Sequence, residues 1–238
     1  MPDPFEKLIG TPFRVDEKKF RDFLRERRIE PDALGGSIDD PLSRSAAGSK
    51  PQARYFVIHD VSYNLCDDVT SLARSVDPDA SWNRASRWSN SGAAHLFITR
   101  DGKLIAPQGR TFGVPWRATK LEKQIGEQSR GLFLHVENVQ LRTVGVQPGQ
   151  KARTQGGKCR NDRIAENPGF SQVQYSRLAL VYIAASHRAR KWLVPAYHLA
   201  MDYGLDDAHD DPQNFDLNEL GRKVCGHLTA LGGEQCAP

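Results

Sequence analysis

The spacing of hydrophobic positions changes several times along this chain, and each change marks an element. Residues 54–60, Arg-Tyr-Phe-Val-Ile-His-Asp, are aromatic and β-branched with no helical repeat, which predicts a strand ending at His59. From Ala93 to Ala106 two apolar segments flank Asp101-Gly102, the strongest short hairpin signal, and predict two strands joined by a tight turn. Residues 131–139 predict another strand, in which alternation puts His135 and Glu137 on one face. Phe170 to Ala185 repeats close to every 3.6 residues behind Ser171, a suitable N-cap, and predicts the clearest helix. Further helices are expected over Asp67–Val76, and from Asn218 to about Leu231 ahead of Gly232-Gly233. Phe20, Phe23 and Leu24 fall at i, i+3 and i+4 with charges opposite, a short amphipathic helix. This order predicts an α/β fold in which a central mixed sheet is flanked by helices.

The polar stretches divide the chain. Residues 1–50 read as an N-terminal extension, with the short helix packed on the domain and a linker around Gly35-Gly36 and Ser43–Pro51. Residues 51–238 form the main domain, with a Gly-rich loop or insertion at about 141–169. Residues 82–92 read as a loop. His187, in the basic last turns of the long helix, suits the helix dipole and is given no chemical role.

Composition narrows the possibilities. With 238 residues, 39% hydrophobic, the chain is long enough for a proper core. No apolar run approaches a membrane span. The net charge of +4 is scattered among acids, so nucleic acid is not an expected partner. None of the four cysteines, Cys66, Cys159, Cys225 and Cys236, forms a C-x-x-C pair, which argues against a cysteine metal site. Cys225 and Cys236 could bridge if the tail folds back, while reduced thiols are the default for a cytosolic protein. Met1-Pro-Asp-Pro-Phe-Glu-Lys has no secretory signal pattern, so the expectation is cytoplasmic work or export by a route that reads no such signal.

The chemistry concentrates in residues 194–216, where His198, His209 and Asp211 share one polar loop with nitrogen and oxygen ligands suited to zinc. Read alone, the stretch could equally be a solvated acidic loop. A zinc site needs a ligand from elsewhere, and His59, at the end of a strand, is the first candidate. Glu137 is a carboxylate among apolar neighbours, costly unless paired or used, and is therefore a candidate general base.

Taken together, these pieces resemble the zinc-dependent N-acetylmuramoyl-L-alanine amidases of the peptidoglycan-recognition type. The resemblance rests on Val57-Ile58-His59, on Gly92-Ala-Ala-His95-Leu-Phe-Ile-Thr-Arg100-Asp101-Gly102 and on His135-Val136-Glu137-Asn138. It continues through Phe170-Ser-Gln-Val-Gln174-Tyr175-Ser-Arg-Leu178 to His198 and Asp211-Pro212-Gln-Asn-Phe215-Asp216, in the family's order over roughly residues 54 to 217. It implies a peptidoglycan-recognition-protein-like amidase fold and a zinc cofactor held by His59, His198 and Asp211, with Glu137 as the catalytic glutamate. His209 stands where the family often has an oxyanion-stabilising lysine. It would either take that role or be the third ligand with Asp211 behind it; the Asp-Pro anchor favours Asp211. The resemblance also sets His95, Trp116, Arg117 and Lys120 along the substrate cleft, with Arg117 in place of a family histidine.

The implied activity is hydrolysis of the amide between N-acetylmuramic acid and L-alanine of the stem peptide. The rival readings are a catalytically silent peptidoglycan-binding module, a cytoplasmic muropeptide-recycling amidase and a small zinc peptidase. Arg117-Ala-Thr-Lys120-Leu-Glu122 is similar to segments of amidases used as antibacterial effectors. That likeness implies delivery by a secretion system to the periplasm of target cells, and a neutralising immunity protein as partner.

Overall fold

The computed structural model describes residues 1–42, 53–64, 76–144, 154–155, 158–159, 164–165 and 167–232. Helices α1 (Asp3–Leu8) and α2 (Glu17–Glu26) precede strands β1 (Tyr55–Asp60) and β2 (Tyr63–Asn64). Then come α3 (Ala85–Trp88), the hairpin β3 (Leu96–Ile98) and β4 (Leu104–Ile105), α4 (Lys120–Ile125), β5 (Phe133–Asn138) and β6 (Leu141–Val144). The short strands β7 (Thr154–Gln155), β8 (Lys158–Cys159) and β9 (Ile164–Ala165) lead to α5 (Gln172–Ala189). Strand β10 (Val194–Tyr197), α6 (His198–Met201) and α7 (Leu217–Ala230) follow. The main sheet has the order β10-β1-β5-β3-β4. Its first four strands are parallel and β4 is antiparallel to β3, so the sheet is mixed and the fold is α/β as expected.

Parallel strands in the middle of a sheet are covered on both faces, and period-2 alternation decides what each face carries. One face presents Phe56, Ile58, Leu96, Ile98, Leu134 and Val136, which share a core with α5 and α7. The other presents Val57 and His59 from β1, Phe133, His135 and Glu137 from β5, and Phe97 from β3. This second face is sealed in part by rings: Tyr55 stacks on Phe133 at 5.0 Å and Trp88 on Phe97 at 5.4 Å. One face thus holds the domain together and the other carries the ionisable residues.

Helix α5 is apolar and buried all round from Leu178 to Ala185, as a helix segment enclosed by its neighbours should be. Its start is fixed by a capping box, with Ser171 Oγ accepting from Gln174 N–H and the Gln174 side chain accepting from Ser171 N–H. The Ser171 hydroxyl also donates to the Arg100 carbonyl at 2.6 Å, which ties the helix to the β3–β4 turn. In that turn Gly102 has φ +81°, and a Cβ there would run into Val173.

The N-terminal residues belong to the same core. Phe5, Leu8, Phe20, Leu34 and Leu42 are buried within it. The Arg188 guanidinium donates to the carbonyls of Gly35, Asp40 and Pro41, so the stretch read as linker is bound to α5 up to residue 42. The remaining linker, and the helix expected over Asp67–Val76 up to Ser75, lie outside the described residues. Helix α1 is too short to show a period in sequence; it starts with prolines at its N-terminus, where a missing N–H is harmless. Region 141–169 is not simply a loop: β6 joins β2 and β9 in a second sheet, and β7 pairs with β8. The sequence hides β6 because one of its inward positions is Arg142, fully buried and paired with Asp60.

Because Phe20 lies in this shared core, Phe20→Ala should lower the unfolding free energy of the whole domain by roughly 3–5 kcal/mol. Chemical denaturation followed by circular dichroism measures it. A change within about 0.5 kcal/mol, as for a surface site, would mean that the N-terminal helices do not belong to the folding unit.

Candidate metal centre

Strand register assembles the site. Tyr197 pairs with Ile58 across β10 and β1, and His59 pairs with Glu137 across β1 and β5. His198, His59 and Glu137 therefore lie in one row at the carboxyl ends of three adjacent parallel strands, where open α/β sheets bind their ligands. Pro195 is tolerated in β10 because that strand is the sheet edge. Asp211 enters from the loop after α6 and is held from two sides. The Leu199 N–H donates to its carbonyl at 2.8 Å, and the Asp60 N–H donates to its Oδ2 at 3.2 Å. Asp60 also accepts from the Gln213 N–H and from Arg142, pinning that loop to the end of β1.

His59, His198 and Asp211 are all buried, and one donor atom from each lies within 4.8 Å of the others, so this group could hold a metal ion. The Nδ1 atoms of His59 and His198 are 3.0 Å apart. His198 Nδ1 is 3.0 Å from Asp211 Oδ1, and His59 Nδ1 is 3.7 Å from Asp211 Oδ2. Nitrogen and oxygen donors about 2.0–2.1 Å from a tetrahedral zinc would be spaced roughly 3.3–3.4 Å apart, close to these separations. The second nitrogen of each ring is already engaged. His198 Nε2 is 2.9 Å from Asp202 Oδ2, and His59 Nε2 is 3.0 Å from His135 Nδ1. The Asp202 carboxylate in turn accepts from the Lys120 and Leu121 N–H groups, one on each oxygen. Outward-facing nitrogens secured by buried partners are the arrangement that metal-ligating histidines require.

The two carboxylates near this group behave oppositely. Burial would raise Asp211, but hydrogen bonds from His198 and His209 and the neighbouring imidazole charges outweigh it and hold Asp211 well below the usual carboxylate range. Glu137 is pushed well above its ordinary value, first by burial and then by the charges of Asp211 and Asp60. Its Oε2 is buried with no hydrogen-bond partner. Where two buried acids crowd together, the one with donors keeps its charge more easily and the proton affinity of the other rises. Burial also lowers the proton affinity of His59, assisted by His135 and His198. For His198 burial acts in the same direction, but the bond to Asp211 outweighs it and the net shift is upward.

The other predicted positions separate into outer and inner ones. The His209 side chain is 55% exposed; its Nδ1 is 3.5 Å from Asp211 Oδ1, and its ring stacks on His198 at 4.5 Å. It stands at the mouth of the buried group rather than within it. Trp116 donates through Nε1–H to the Gly92 carbonyl at 3.0 Å and carries the Arg110 guanidinium 3.7 Å from its ring centre. Arg117 is exposed and paired with Glu127 at 2.7 Å, while Lys120 is partly exposed and opens α4. His95 is a correction: it has no exposed surface, its Nδ1 accepts from the His135 N–H, and its Nε2 faces the Val114 carbonyl at 2.9 Å. A side chain closed on every side cannot touch a substrate, so His95 supports the site from within.

Sequence reasoning gave no role to His135, Glu122 or Asp202, although each is fully buried behind a candidate ligand. Some signal was available. His135 shares the face of Glu137, Thr119-x-x-Glu122 is a capping box, and Asp202 follows His198 at i+4.

No family model matches the chain, and no curated protein matches it. Among solved structures, the crystal structure of a selenomethionine derivative of AmpD matches with 16% identity and a TM-score of 0.36, over 80% of this chain and 97% of that one.

The buried donor group includes Asp211 and not His209. Asp211→Ala should weaken zinc binding by more than the roughly 10–100-fold that loss of a supporting residue costs, whereas His209→Ala should leave it within a few-fold of wild type. Competition with a chromogenic chelator reads both. The reverse ranking would transfer the ligand role to His209.

Proposed function

We propose that the chain is a zinc-dependent amidase that hydrolyses the bond between the lactyl group of N-acetylmuramic acid and L-alanine of a stem peptide. The observation that carries this reading is the buried His59–His198–Asp211 donor set with the unpartnered carboxylate oxygen of Glu137 beside it. The choice of peptidoglycan as substrate rests on the ordered motif resemblance over residues 54–217. Bound zinc would bring the pKa of a water from about 15.7 toward roughly 7 and polarise the scissile carbonyl.

The chain's own residues supply the rest of the chemistry. Glu137 has a free acceptor oxygen and a raised proton affinity, so it can take a proton from the attacking water and return it to the leaving amine. His209, exposed beside Asp211, can direct an N–H at the oxygen on which negative charge develops. Asp202 fixes the ring of His198, and Asp60 with Arg142 fixes the loop that carries Asp211. Trp116 and Arg117 stand as candidate cleft residues. Arg117 would have to exchange its Glu127 partner for a stem-peptide carboxylate, a bidentate contact that suits a guanidinium. Lys120 offers a further cation beside them.

A periplasmic site of action has one supporting observation: Cys225 is disulfide-bonded. Such bonds persist in oxidising compartments. Its partner lies outside the described side chains, as does Cys236. An effector role and an immunity protein stand on the likeness of residues 117–122 alone. The conspicuous residues of that segment have internal work in the fold: Thr119 and Glu122 cap α4, and the Lys120 N–H binds Asp202. No helix among the described residues is long and apolar enough to cross a membrane.

Glu137→Gln should retain about one zinc per chain, the single site the donor set offers, and lose roughly 10²–10⁴-fold in kcat on muropeptides. Metal analysis and chromatography of released stem peptide test this together. Zinc binding by wild type without cleavage would favour the silent binding module. Cleavage of plain peptides in preference to muropeptides would favour a peptidase. Full activity in Glu137→Gln would remove Glu137 from the mechanism.

A further inference from the structure

The ionisable face of the sheet continues behind the metal centre as a closed chain of buried groups. His59 Nε2 is 3.0 Å from His135 Nδ1, and His135 Nε2 is 3.1 Å from a carboxylate oxygen of Glu122. His135 and Glu122 have no exposed surface, and His59 is 1% exposed. The far end of this chain is chemically fixed. Glu122 Oε2 accepts from the Ala118 N–H, the Thr119 N–H and the Thr119 hydroxyl, each at 3.0 Å. Burial would raise Glu122, but the hydrogen bond to His135 and those from Ala118 and Thr119 hold it below its ordinary value, so it faces His135 as a carboxylate that only accepts. The His135 backbone is also held, because its N–H donates to His95 Nδ1 at 3.0 Å and the two rings stack at 5.6 Å with only 7° between their planes.

We propose that Glu122 and His135 are positioning residues that fix the tautomer of His59. A carboxylate that can only accept requires His135 to donate from Nε2. With His135 in its neutral form, which the proposal takes as its premise, donation from Nε2 leaves Nδ1 as an acceptor. His59 must then donate from its own Nε2 to His135, which leaves His59 Nδ1 bare toward His198 and Asp211. Helix α4 thus secures both histidines, His59 through Glu122 and His135, and His198 through the Asp202 carboxylate bound to the Lys120 and Leu121 N–H groups. The consequence for metal binding rests on the zinc reading above; the tautomer itself does not.

Glu122→Gln reverses the logic with little change of shape. The amide oxygen must face the Ala118 and Thr119 donors, so the amide N–H₂ turns to His135 Nε2. His135 then accepts at Nε2 and donates from Nδ1, and His59 accepts at Nε2 and carries its proton on Nδ1, where it blocks a metal. The test is nitrogen NMR of the imidazole rings in the metal-free full-length chain, with cobalt(II) titrations of both proteins. In wild type, His59 should be protonated on Nε2 and bare on Nδ1. In Glu122→Gln the proton should move to Nδ1, and cobalt(II) should bind roughly 10–100-fold more weakly.

A merely structural role would lower the denaturation midpoint and leave the His59 tautomer unchanged in the protein that remains folded; that result overturns the proposal. So does wild-type His59 with its proton on Nδ1, an outcome that needs no variant to fold. If the tautomer moves as expected and neither protein binds cobalt(II) or zinc, the positioning role stands and the metal reading of the centre falls.

Discussion

Two ring nitrogens, one from His59 and one from His198, face each other 3.0 Å apart in a closed pocket. Each ring has its other nitrogen committed, His198 to Asp202 and His59 to His135. Two lone pairs at this distance repel unless a positive charge lies between them. A proton could serve, but Asp211 reaches both rings and Glu137 stands beside them, so the pocket concentrates acceptors well beyond what one proton satisfies. A divalent cation would meet all of these demands together. The buried carboxylate of Asp60, the paired Arg142 and the loop carrying Asp211 are arranged around this pocket.

The sheet makes such a pocket affordable. Taking charges out of water is expensive, and the domain recovers stability elsewhere. Alternation along β1 and β5 sends Phe56, Ile58, Leu134 and Val136 to the face covered by α5 and α7. It sends His59, His135 and Glu137 to the opposite face. The N-terminal residues reinforce the first face: α1 and α2 add Phe5, Leu8 and Phe20, and Arg188 binds the carbonyls of Gly35, Asp40 and Pro41. Without so large a core on one side, a row of buried ionisable groups on the other would be hard to sustain.

This arrangement also explains which features were legible in the sequence. Strand β1, the β3–β4 hairpin, β5, α5 and α7 announce themselves through period and capping, and the mixed sheet follows from their order. His59 and Glu137 could be singled out because a polar residue at the end of an apolar run, or alternating within one, is costly and draws notice, and His198 and Asp211 because they share one loop rich in nitrogen and oxygen donors. Strand β6 was missed because Arg142 occupies a position where an apolar residue is expected, and only the approach of Asp60 from a distant segment makes that burial tolerable. Glu122 was missed for the same reason: it looks like a surface acid near a helix start until the fold brings His135 against it. Asp202 meets His198 one helical turn away, a spacing that the sequence carries but that reads as an ordinary surface pair. His95 was misjudged in the opposite direction, since a histidine in a matched motif reads as a cleft residue when nothing in the sequence reveals how fully its surroundings close over it.

The division between buried and exposed residues bears on how such a site would acquire specificity. His59 and His135 sit on strands, His198 and Asp202 on or next to the short α6, and Glu122 in the first turn of α4, while Asp211 lies on a loop pinned by the Leu199 and Asp60 N–H groups. His209, Trp116, Arg117 and Lys120 sit on connections or at a helix start, and their side chains keep a surface to solvent. Rigid elements hold groups that tolerate little displacement, whereas loops can change what they contact without disturbing the core. In the proposed amidase, the ability to break an amide bond would therefore be built into the sheet, and the choice of which amide would reside in the loop residues. Arg117 illustrates the difference. Its pairing with Glu127 lies at the surface, where an ion pair is worth at most about 1 kcal/mol, so a substrate carboxylate could displace Glu127 at little cost. The His198–Asp202 contact is buried, and exchanging Asp202 would leave an unpartnered polar group in the interior. In the proposed amidase, substrate preference would drift through residues such as Arg117, while the chemistry would stay anchored by residues such as Asp202.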